Sequence, residues 1–276
     1  MDYIVYEPNK NVKLGLKIWP AMFRELVGSR ELIWRLFVRN WSAKYKQAVL
    51  GYLWAIIMPF IAIGTFVFLN RVGVLNIGET GAPYPLFALI GLTVWQLFAT
   101  GLNSGCQSLV ASGGMISKIN FPIEVLVIAS LAQAIFEFLV KFILIVIFFI
   151  VFKFIPAWTI VLFPLAIIPI VLLTLGLSLF FSLVNGVLRD TANAVSVITT
   201  FLMFLTPVLY PLKDKANLFF KFNPLAPLVV APRDLIIYGH IKEPVSFLMA
   251  STLSILIFFI CWRIFYLAKT KIPERL

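Results

Sequence analysis

The chain has 276 residues, of which 61% are hydrophobic and only 13% are charged. A soluble domain carries about 25% charged residues, so the composition argues against a water-soluble enzyme and predicts an all-α integral membrane protein. The net charge of +11 could indicate nucleic-acid binding. However, the basic residues lie in the first 50 positions and beside apolar stretches, where they set membrane orientation, so no nucleic-acid partner is expected.

The N-terminal region, residues 1–48, is predicted to be a cytoplasmic tail that ends in an amphipathic helix. Residues 1–28 are punctuated by proline and glycine, and Ser29 could cap the helix that follows. On a helical wheel, Glu31, Arg35 and Arg39 share one stripe with Ser42 and Lys46, opposite the apolar residues at 32, 33, 36 and 37. This pattern is typical of a helix lying in the membrane interface, either as an anchor or as a docking surface for a cytoplasmic partner.

The basic tail changes abruptly into an apolar stretch near residue 48. Lys44 and Lys46 come just before this change, where the anionic inner leaflet would attract them. Tyr52 and Trp54 follow at the level where amphipathic rings meet lipid headgroups. The junction therefore predicts a cytoplasmic N-terminus.

Six stretches are apolar enough to cross a bilayer, which takes about 20 residues each. They are residues 49–69, 85–102, 125–152, a part of 158–188, 192–210 and 245–268. An even number places both termini on the same side, which the basic residues predict to be the cytoplasm, with a transmembrane domain over 49–268 and a short cytoplasmic tail over 269–276. Residues 103–122 are expected to form an inner loop that could hold a short helix. The proline-rich residues 211–244 are expected to form short outer helices or a re-entrant pair.

The sequence contains no recognisable catalytic, metal-binding or nucleotide-binding motif, so an enzyme is not expected. Glu137 and Lys141 are spaced i, i+4 within the third stretch and should face protein or water rather than lipid. They could line a polar path or relay a proton, or they could be a neutralised pair that fixes helix packing. Cys106 and Cys261 have no metal-ligand spacing and are expected to pack against neighbouring helices.

Two further features of the spans are informative. Tyr52, Trp54, Trp95 and Tyr210 are the aromatic residues best suited to line a path, because their polar atoms need hydrogen-bond partners. Gly101-x-x-x-Gly105 is a motif that allows two helices to approach closely.

Four motifs in order resemble the permease subunits of type-2 ABC exporters for lipid-linked polysaccharides, such as O-antigen and teichoic acid. The first is KYKQAVLGYLWAIIMP, which begins at Lys44, and the second is I-x-K-x-x-F-P at residues 116–122. The third is the pair Arg189-Asp190. The fourth combines TPVLYP at residues 206–211, NPLAP at 223–227 and RDLIIYG at 233–239.

The resemblance implies a homodimer of six-span subunits that binds two copies of a cytoplasmic ATPase. ATP and Mg²⁺ would then belong to the partner, and this chain would bind no cofactor. The resemblance also implies that the contact with the ATPase is formed by the amphipathic helix and the inner loop: Glu31, Arg35, Arg39, Met115, Ile116, Lys118 and Phe121. Lys44, Lys46, Arg189 and Asp190 could meet a lipid-linked pyrophosphate head group or could merely fix helix ends.

Three alternatives stay open from the sequence. The same architecture could export a drug or a free lipid. The chain could instead be an intramembrane enzyme acting on a polyprenyl-phosphate-linked sugar, although it offers few of the convergent acidic or histidine residues that such chemistry requires. It could also be a proton-coupled carrier that uses Glu137.

Overall fold

The computed structural model describes residues 18–45, 53–72, 80–116, 118, 121–211 and 223–269. Within these ranges every regular element is helical, which confirms the all-α class. The elements are α1 (Ile18–Gly28), α2 (Arg30–Tyr45), α3 (Trp54–Arg71), α4 (Tyr84–Ala111), α5 (Gly113–Ile116), α6 (Glu124–Val151), a 3₁₀ turn (Trp158–Leu162), α7 (Phe163–Val187), α8 (Thr191–Leu205), α9 (Leu225–Ile237) and α10 (Pro244–Ala268).

Four helical segments of the described chain are long and apolar enough to cross a membrane. They are α4, α6, α7 together with its preceding 3₁₀ turn, and α10. These segments correspond to the second, third, fourth and sixth predicted stretches. The first predicted stretch is represented by the 18-residue helix α3, and its beginning lies outside the described residues.

The fifth predicted stretch, residues 192–210, forms a shorter helix than expected. Helix α8 has 15 residues and ends at Leu205, because Thr206 adopts an extended backbone (φ −105°, ψ 136°). A residue that precedes proline is disfavoured in the helical region, and Pro207 follows. A helix of this length rises about 22 Å, less than the roughly 30 Å of a bilayer core. The count of six spans therefore stays a prediction.

Helix α4 is the central helix of the bundle. It packs against α3, α6, α7, α8 and α9. In its most apolar window 78% of the residues are buried, compared with 28% for α10. Helix α4 is also the least hydrophobic of the four long helical segments, which is consistent with a helix that meets protein rather than lipid on most sides.

Small residues bring α4 and α7 into close contact. A Cβ atom on Gly105 would lie 2.5 Å from Ser178 Cβ, and one on Gly101 would lie 2.7 Å from Thr174 Cγ2. The Ser178 hydroxyl donates to the carbonyl oxygen of Gly101 at 3.3 Å. The predicted close-packing role of Gly101 and Gly105 is thus confirmed, and α7 contributes the matching small face.

The prediction of an inner loop over residues 103–122 was wrong at its start. Helix α4 continues to Ala111, and the connection to α6 begins only at Ser112 and contains the short helix α5. Residues with polar side chains can remain helical here because their hydroxyl groups donate hydrogen bonds to carbonyl groups of the preceding turn. The Ser104 hydroxyl donates to the Thr100 carbonyl and the Ser108 hydroxyl to the Gly105 carbonyl, both at 2.7 Å.

The N-terminal tail is more ordered than the sequence indicated, because residues 18–28 form helix α1. Met22 on this helix is buried, and the Trp19 ring packs edge-on against Trp262 of α10. The Ser29 hydroxyl donates to the Glu25 carbonyl at 2.8 Å. Ser29 therefore bonds back to the end of α1 instead of capping α2 with its side chain.

An ion cluster joins three helix ends at this end of the bundle. Lys269 Nζ lies 2.7 Å from a carboxylate oxygen of Glu25 on α1 and 3.2 Å from one of Glu124, the first residue of α6. The Tyr266 hydroxyl donates to Glu25 at 3.0 Å. The end of α10 is thereby fixed to α1 and α6. Cys106 and Cys261 are both buried free thiols, so the prediction that they pack is confirmed.

Candidate functional site

A polar cleft lies between α4 and α8. Its volume is about 480 Å³. The residues that line it recur every three or four positions along each helix, singly or as adjacent pairs, so each helix contributes one face. The lining residues are Trp95, Ala99, Thr100, Asn103, Ser104, Gln107, Ser196, Thr199, Thr200 and Met203. The cleft is notable because most of these side chains are polar and yet belong to helices of an apolar bundle.

The two faces of the cleft are joined by a hydrogen bond. The amide nitrogen of Asn103 on α4 donates to the Thr199 hydroxyl on α8 at 3.1 Å and to the Ala99 carbonyl at 2.7 Å. Thr199 is 3% exposed, whereas Thr200 and Gln107 are open to the cleft. Part of this polar surface therefore holds α4 and α8 together, and part is free to contact a passing molecule.

Of the four aromatic residues proposed to line a path, the structure places Trp95 at the cleft. Trp95 is 2% exposed and forms part of the wall, where its ring packs against Phe98 at 5.5 Å. Trp54 is exposed on α3, and the Tyr210 hydroxyl donates to the Phe204 carbonyl at 2.8 Å. Neither Trp54 nor Tyr210 lines this cleft, and Tyr52 lies outside the described residues.

The sequence interpretation missed most of the cleft residues. Asn103, Ser104 and Gln107 were assigned to a loop, and Thr199 and Thr200 were counted only as part of an apolar stretch. The available signal was the repetition of Ser, Thr, Asn and Gln at helical spacing across the second and fifth stretches, which marks a polar face.

The amphipathic helix and the inner loop meet in the structure. Arg39 Nη1 on α2 lies 3.6 Å from the Met115 sulfur on α5. Glu31 and Arg35 form an exposed ion pair at 2.6 Å on the same outer stripe of α2. Leu36 and Phe37, on the predicted apolar side of α2, are buried, and the role of this helix as an anchor or as a docking surface stays a prediction.

The other residues of the predicted docking surface follow Met115 in the sequence, and their side chains differ in exposure. Ile116 is buried, Phe121 is half-buried and Lys118 is exposed. Arg189 and Asp190 are both exposed immediately before α8. Lys44 lies in α2, and Lys46 lies outside the described residues.

Glu137 and Lys141 face the interior of the protein. Both lie on α6, with exposed fractions of 7% and 8%. The expectation that this face avoids lipid is therefore confirmed. Neither residue lines the cleft between α4 and α8, so their function as a relay or as a packing pair stays a prediction.

Helix α9 is hydrogen-bonded to the segment that follows α8. Arg233 is buried and donates from Nη1 to the carbonyl oxygens of Pro207 and Val208 at 2.9 and 3.1 Å, and its guanidinium lies 3.9 Å from the centre of the Phe87 ring. Burial lowers the pKa of Arg233 to about 10, so the side chain stays protonated at neutral pH. Burial also raises the pKa of the adjacent Asp234 carboxyl, against the opposing effect of Arg233.

The same region brings three motifs that are separate in the sequence into contact. The Asn223 amide nitrogen donates to the Thr206 hydroxyl at 3.0 Å, and its carbonyl oxygen accepts from the backbone amide of Leu225 at 3.0 Å. Asn223 thus holds the end of α8 and starts α9. Together with Arg233, it unites the TPVLYP, NPLAP and RDLIIYG segments into one junction, called here the α9 junction.

In the described part of the chain, four membrane-length helical segments and a polar cleft between two helices define a multi-pass integral membrane protein with the features of a transport subunit. The model of the ABC-2 type transporter family matches residues 31–237. This match spans most of the chain, and the chain belongs to that family.

Curated relatives have similar lengths and related names. The chain is 28% identical to the O-antigen export system permease protein RfbA of Myxococcus xanthus, over 83% of this chain and 88% of the relative. It is 31% identical to a Klebsiella pneumoniae protein of the same name, over 74% and 79% of the two chains. It is 23% identical to the polysialic acid transport protein KpsM of Escherichia coli, over 76% and 83%.

Proposed function

We propose that this chain is the transmembrane permease subunit of an ATP-driven exporter that moves lipid-linked polysaccharide of the O-antigen type across the bacterial inner membrane. The cleft between α4 and α8 carries this proposal. It presents hydroxyl and amide side chains, which is the chemistry that hydrogen-bonds the hydroxyl groups of sugars, and Trp95 is buried behind them in the wall.

The energy for export comes from a separate ATPase, with ATP and Mg²⁺ bound there and no cofactor bound by this chain. The proposal follows from family membership together with the absence of a phosphate-binding loop motif from the sequence. Motion of the ATPase is transmitted through the exposed stripe of α2 and through α5. The contact between Arg39 and Met115 supports this, because it joins α2 to α5, so a displacement of one helix is passed to the other.

The functional unit is a homodimer of six-span subunits with both termini in the cytoplasm and two ATPase copies attached. In this arrangement α3 and α8 are the first and fifth spans. The exposed apolar residues of α8, including Val197, Phe201 and Phe204, then face lipid or the second protomer. Two copies of the cleft together enclose a wider path than one subunit offers.

The test is transport by purified components. Vesicles containing this chain and its ATPase should move a lipid-linked glycan only when ATP is present. Stimulation of ATP hydrolysis by the lipid-linked polymer is expected, whereas stimulation only by small hydrophobic compounds would favour the drug or lipid exporter. Turnover of the lipid-linked sugar by this chain alone would instead favour the intramembrane enzyme.

A further inference from the structure

Helix α8, one wall of the cleft, has few buried residues of its own. All fifteen of its residues are described, and two of them, Val195 and Thr199, are buried. Helix α4, the opposite wall, is mostly buried. Because α8 buries so little of its surface against the bundle, directed hydrogen bonds must determine much of where it lies relative to α4.

Asn185, near the end of α7, makes two such hydrogen bonds. Its side chain is 3% exposed. The amide nitrogen Nδ2 donates to the Cys106 carbonyl oxygen on α4 at 3.1 Å, and the oxygen Oδ1 accepts from the backbone amide of Ala192 on α8 at 3.2 Å. One side chain on α7 therefore joins α4 to α8 through the backbones of both helices.

The bond to Ala192 takes the place of a local cap at the start of α8. The first backbone amides of a helix have no partner within the helix, and the side chain of the residue before the first turn commonly supplies one. Asp190 holds that position, but it makes no side-chain capping bond within the described part of the chain. The start of α8 is capped by Asn185 instead, so its position follows that of α7.

A second contact fixes α7 to α4 at the same level. The Cys106 thiol donates to the Phe181 carbonyl oxygen at 3.5 Å. Gln107 is the next residue along α4, and Ser196 lies in the second turn of α8; both are exposed and line the cleft. The bonds of Asn185 therefore set the spacing between the two helical turns that carry Gln107 and Ser196.

We propose that Asn185 is a positioning residue for the transported glycan, because it sets the width of the cleft at the end where Gln107 and Ser196 lie. The inference rests on the proposed function, in which this end is cytoplasmic and the glycan enters here. Asn185 does not line the cleft itself. It holds α8 at the distance from α4 that lets the hydroxyl and amide groups of the lining reach a sugar by hydrogen bonds. Without these two bonds, α8 can shift and the lining binds the glycan less well.

The first measurement is the distance across this end of the cleft. Spin labels attached to the variants Gln107→Cys and Ser196→Cys, at two exposed positions, report this distance in the complex of the full chain with its ATPase. Asn185→Leu removes both hydrogen bonds at a similar side-chain volume and should lengthen and broaden the distance distribution. Asn185→Ser is a milder variant, because a serine hydroxyl bonds back to its own helix, and it should change the distance in the same direction.

The second measurement is uptake of a lipid-linked glycan by inverted membrane vesicles that contain this chain, with its lining residues unchanged, and its ATPase. Asn185→Leu and Asn185→Ser should raise the glycan concentration for half-maximal uptake about fivefold and change the maximal rate by less than about twofold. A variant that was merely unstable would instead lower the maximal rate, because fewer active complexes would remain.

Thr159→Val is the matched control. The Thr159 side chain is 5% exposed, and its hydroxyl donates to the Leu235 carbonyl oxygen at 2.6 Å. This variant therefore also removes a buried hydrogen bond between a side chain and a distant backbone group, but it does so outside the cleft. It should leave both the distance distribution and the half-maximal concentration unchanged.

The outcomes separate this inference from the proposed function. An unchanged distance distribution or an unchanged half-maximal concentration in both Asn185 variants would overturn the inference alone, as would equal changes in Thr159→Val. Absence of uptake by the unmodified chain, with an active ATPase present, would contradict the proposed function and the inference with it.

Discussion

Arg233 shows how a single buried charge can position two helices. Its guanidinium is held by two carbonyl groups in the segment just after α8 and by the face of Phe87 on α4. Among the described residues, its Nε atom and the Asp234 Oδ2 atom have no hydrogen-bond partner. A buried charge is costly unless its partners are well placed. The carbonyl groups and the Phe87 ring therefore stabilise the buried charge of Arg233, and Arg233 in turn holds the segments of the α9 junction together.

Replacing Arg233 with leucine should destabilise the protein. The change leaves the carbonyl groups of Pro207 and Val208 without a donor, and each buried unpaired group costs about 1–3 kcal/mol. We expect a loss of at least about 2 kcal/mol, measured as a lower thermal midpoint of the detergent-purified protein. Arg233→Lys should recover only part of the loss, because an ammonium group lacks the planar guanidinium that packs on Phe87.

A matched control for this variant is Arg35→Leu. The Arg35 side chain is 74% exposed and pairs with Glu31 across one helical turn, so its loss should change stability by less than about 0.5 kcal/mol. If the two leucine variants have the same thermal midpoint, the structural role assigned to Arg233 is wrong.

At the scale of elements, the contact between α4 and α7 is set by facing small residues. Gly101 and Gly105 on α4 lie against Thr174 and Ser178 on α7, and the two backbones approach closely enough for a serine hydroxyl to reach a backbone carbonyl. Lipid provides no hydrophobic driving force for helix association, so this close packing is a main source of cohesion. It fixes the central helix α4, and with it one wall of the cleft.

A methyl group at Gly105 should separate these helices. Gly105→Ala places a Cβ 2.5 Å from Ser178 Cβ, and overpacking of this kind costs about 1–3 kcal/mol. The control is Gly64→Ala on α3, where a Cβ meets nothing within 4 Å and the better helix propensity of alanine should be neutral or stabilising. The thermal midpoints of the two variants should therefore differ.

A second substitution tests whether the cost arises at this contact. The double variant Gly105→Ala with Ser178→Gly returns space to the interface and should recover part of the lost stability. Equal thermal midpoints for Gly105→Ala and Gly64→Ala would show that the close approach of α4 and α7 does not limit stability.

The sequence predicted elements well where one physical signal dominated. Long apolar stretches located α4, α6, α7 and α10, and the charge stripe located α2, because burial and helical periodicity leave a direct trace in composition. The extension of α4 to Ala111 was missed because polar side chains suggested a loop, whereas they bond to their own helix. Helix α1 was missed because its burial depends on Trp262, which is distant in the sequence.

The candidate site was predictable only in part, because it also depends on contacts between residues that are distant in the sequence. Trp95 was identified from its residue type. The resemblance implied that α2 and the inner loop both contact the ATPase, and the contact between Arg39 and Met115 was found only in the structure. The alignment of Asn103 with Thr199 arises from the packing of two helices, and no local pattern contains it. Pairings of this kind require the tertiary structure.

At the scale of the molecule, polar side-chain contacts join helices near each end of the bundle. At one end, Lys269 joins α1, α6 and α10, next to the surface formed by α2 and α5. At the other, the α9 junction holds the end of α8. The cleft lies between them on α4 and α8, so a movement that starts at the α2 and α5 surface can reach the cleft through α6 and α4, which pack together.

The central claim is that the glycan passes along the cleft between α4 and α8. The most direct test places a photo-crosslinking amino acid at Thr200, in the cleft, or at Thr252, on α10. These residues form a matched pair: both are exposed threonines whose hydroxyl donates at 2.9 Å to the carbonyl four residues earlier. With the ATPase and ATP present, position 200 should become crosslinked to the lipid-linked glycan and position 252 should not. Equal crosslinking at both positions, or crosslinking at 252 alone, would contradict the account.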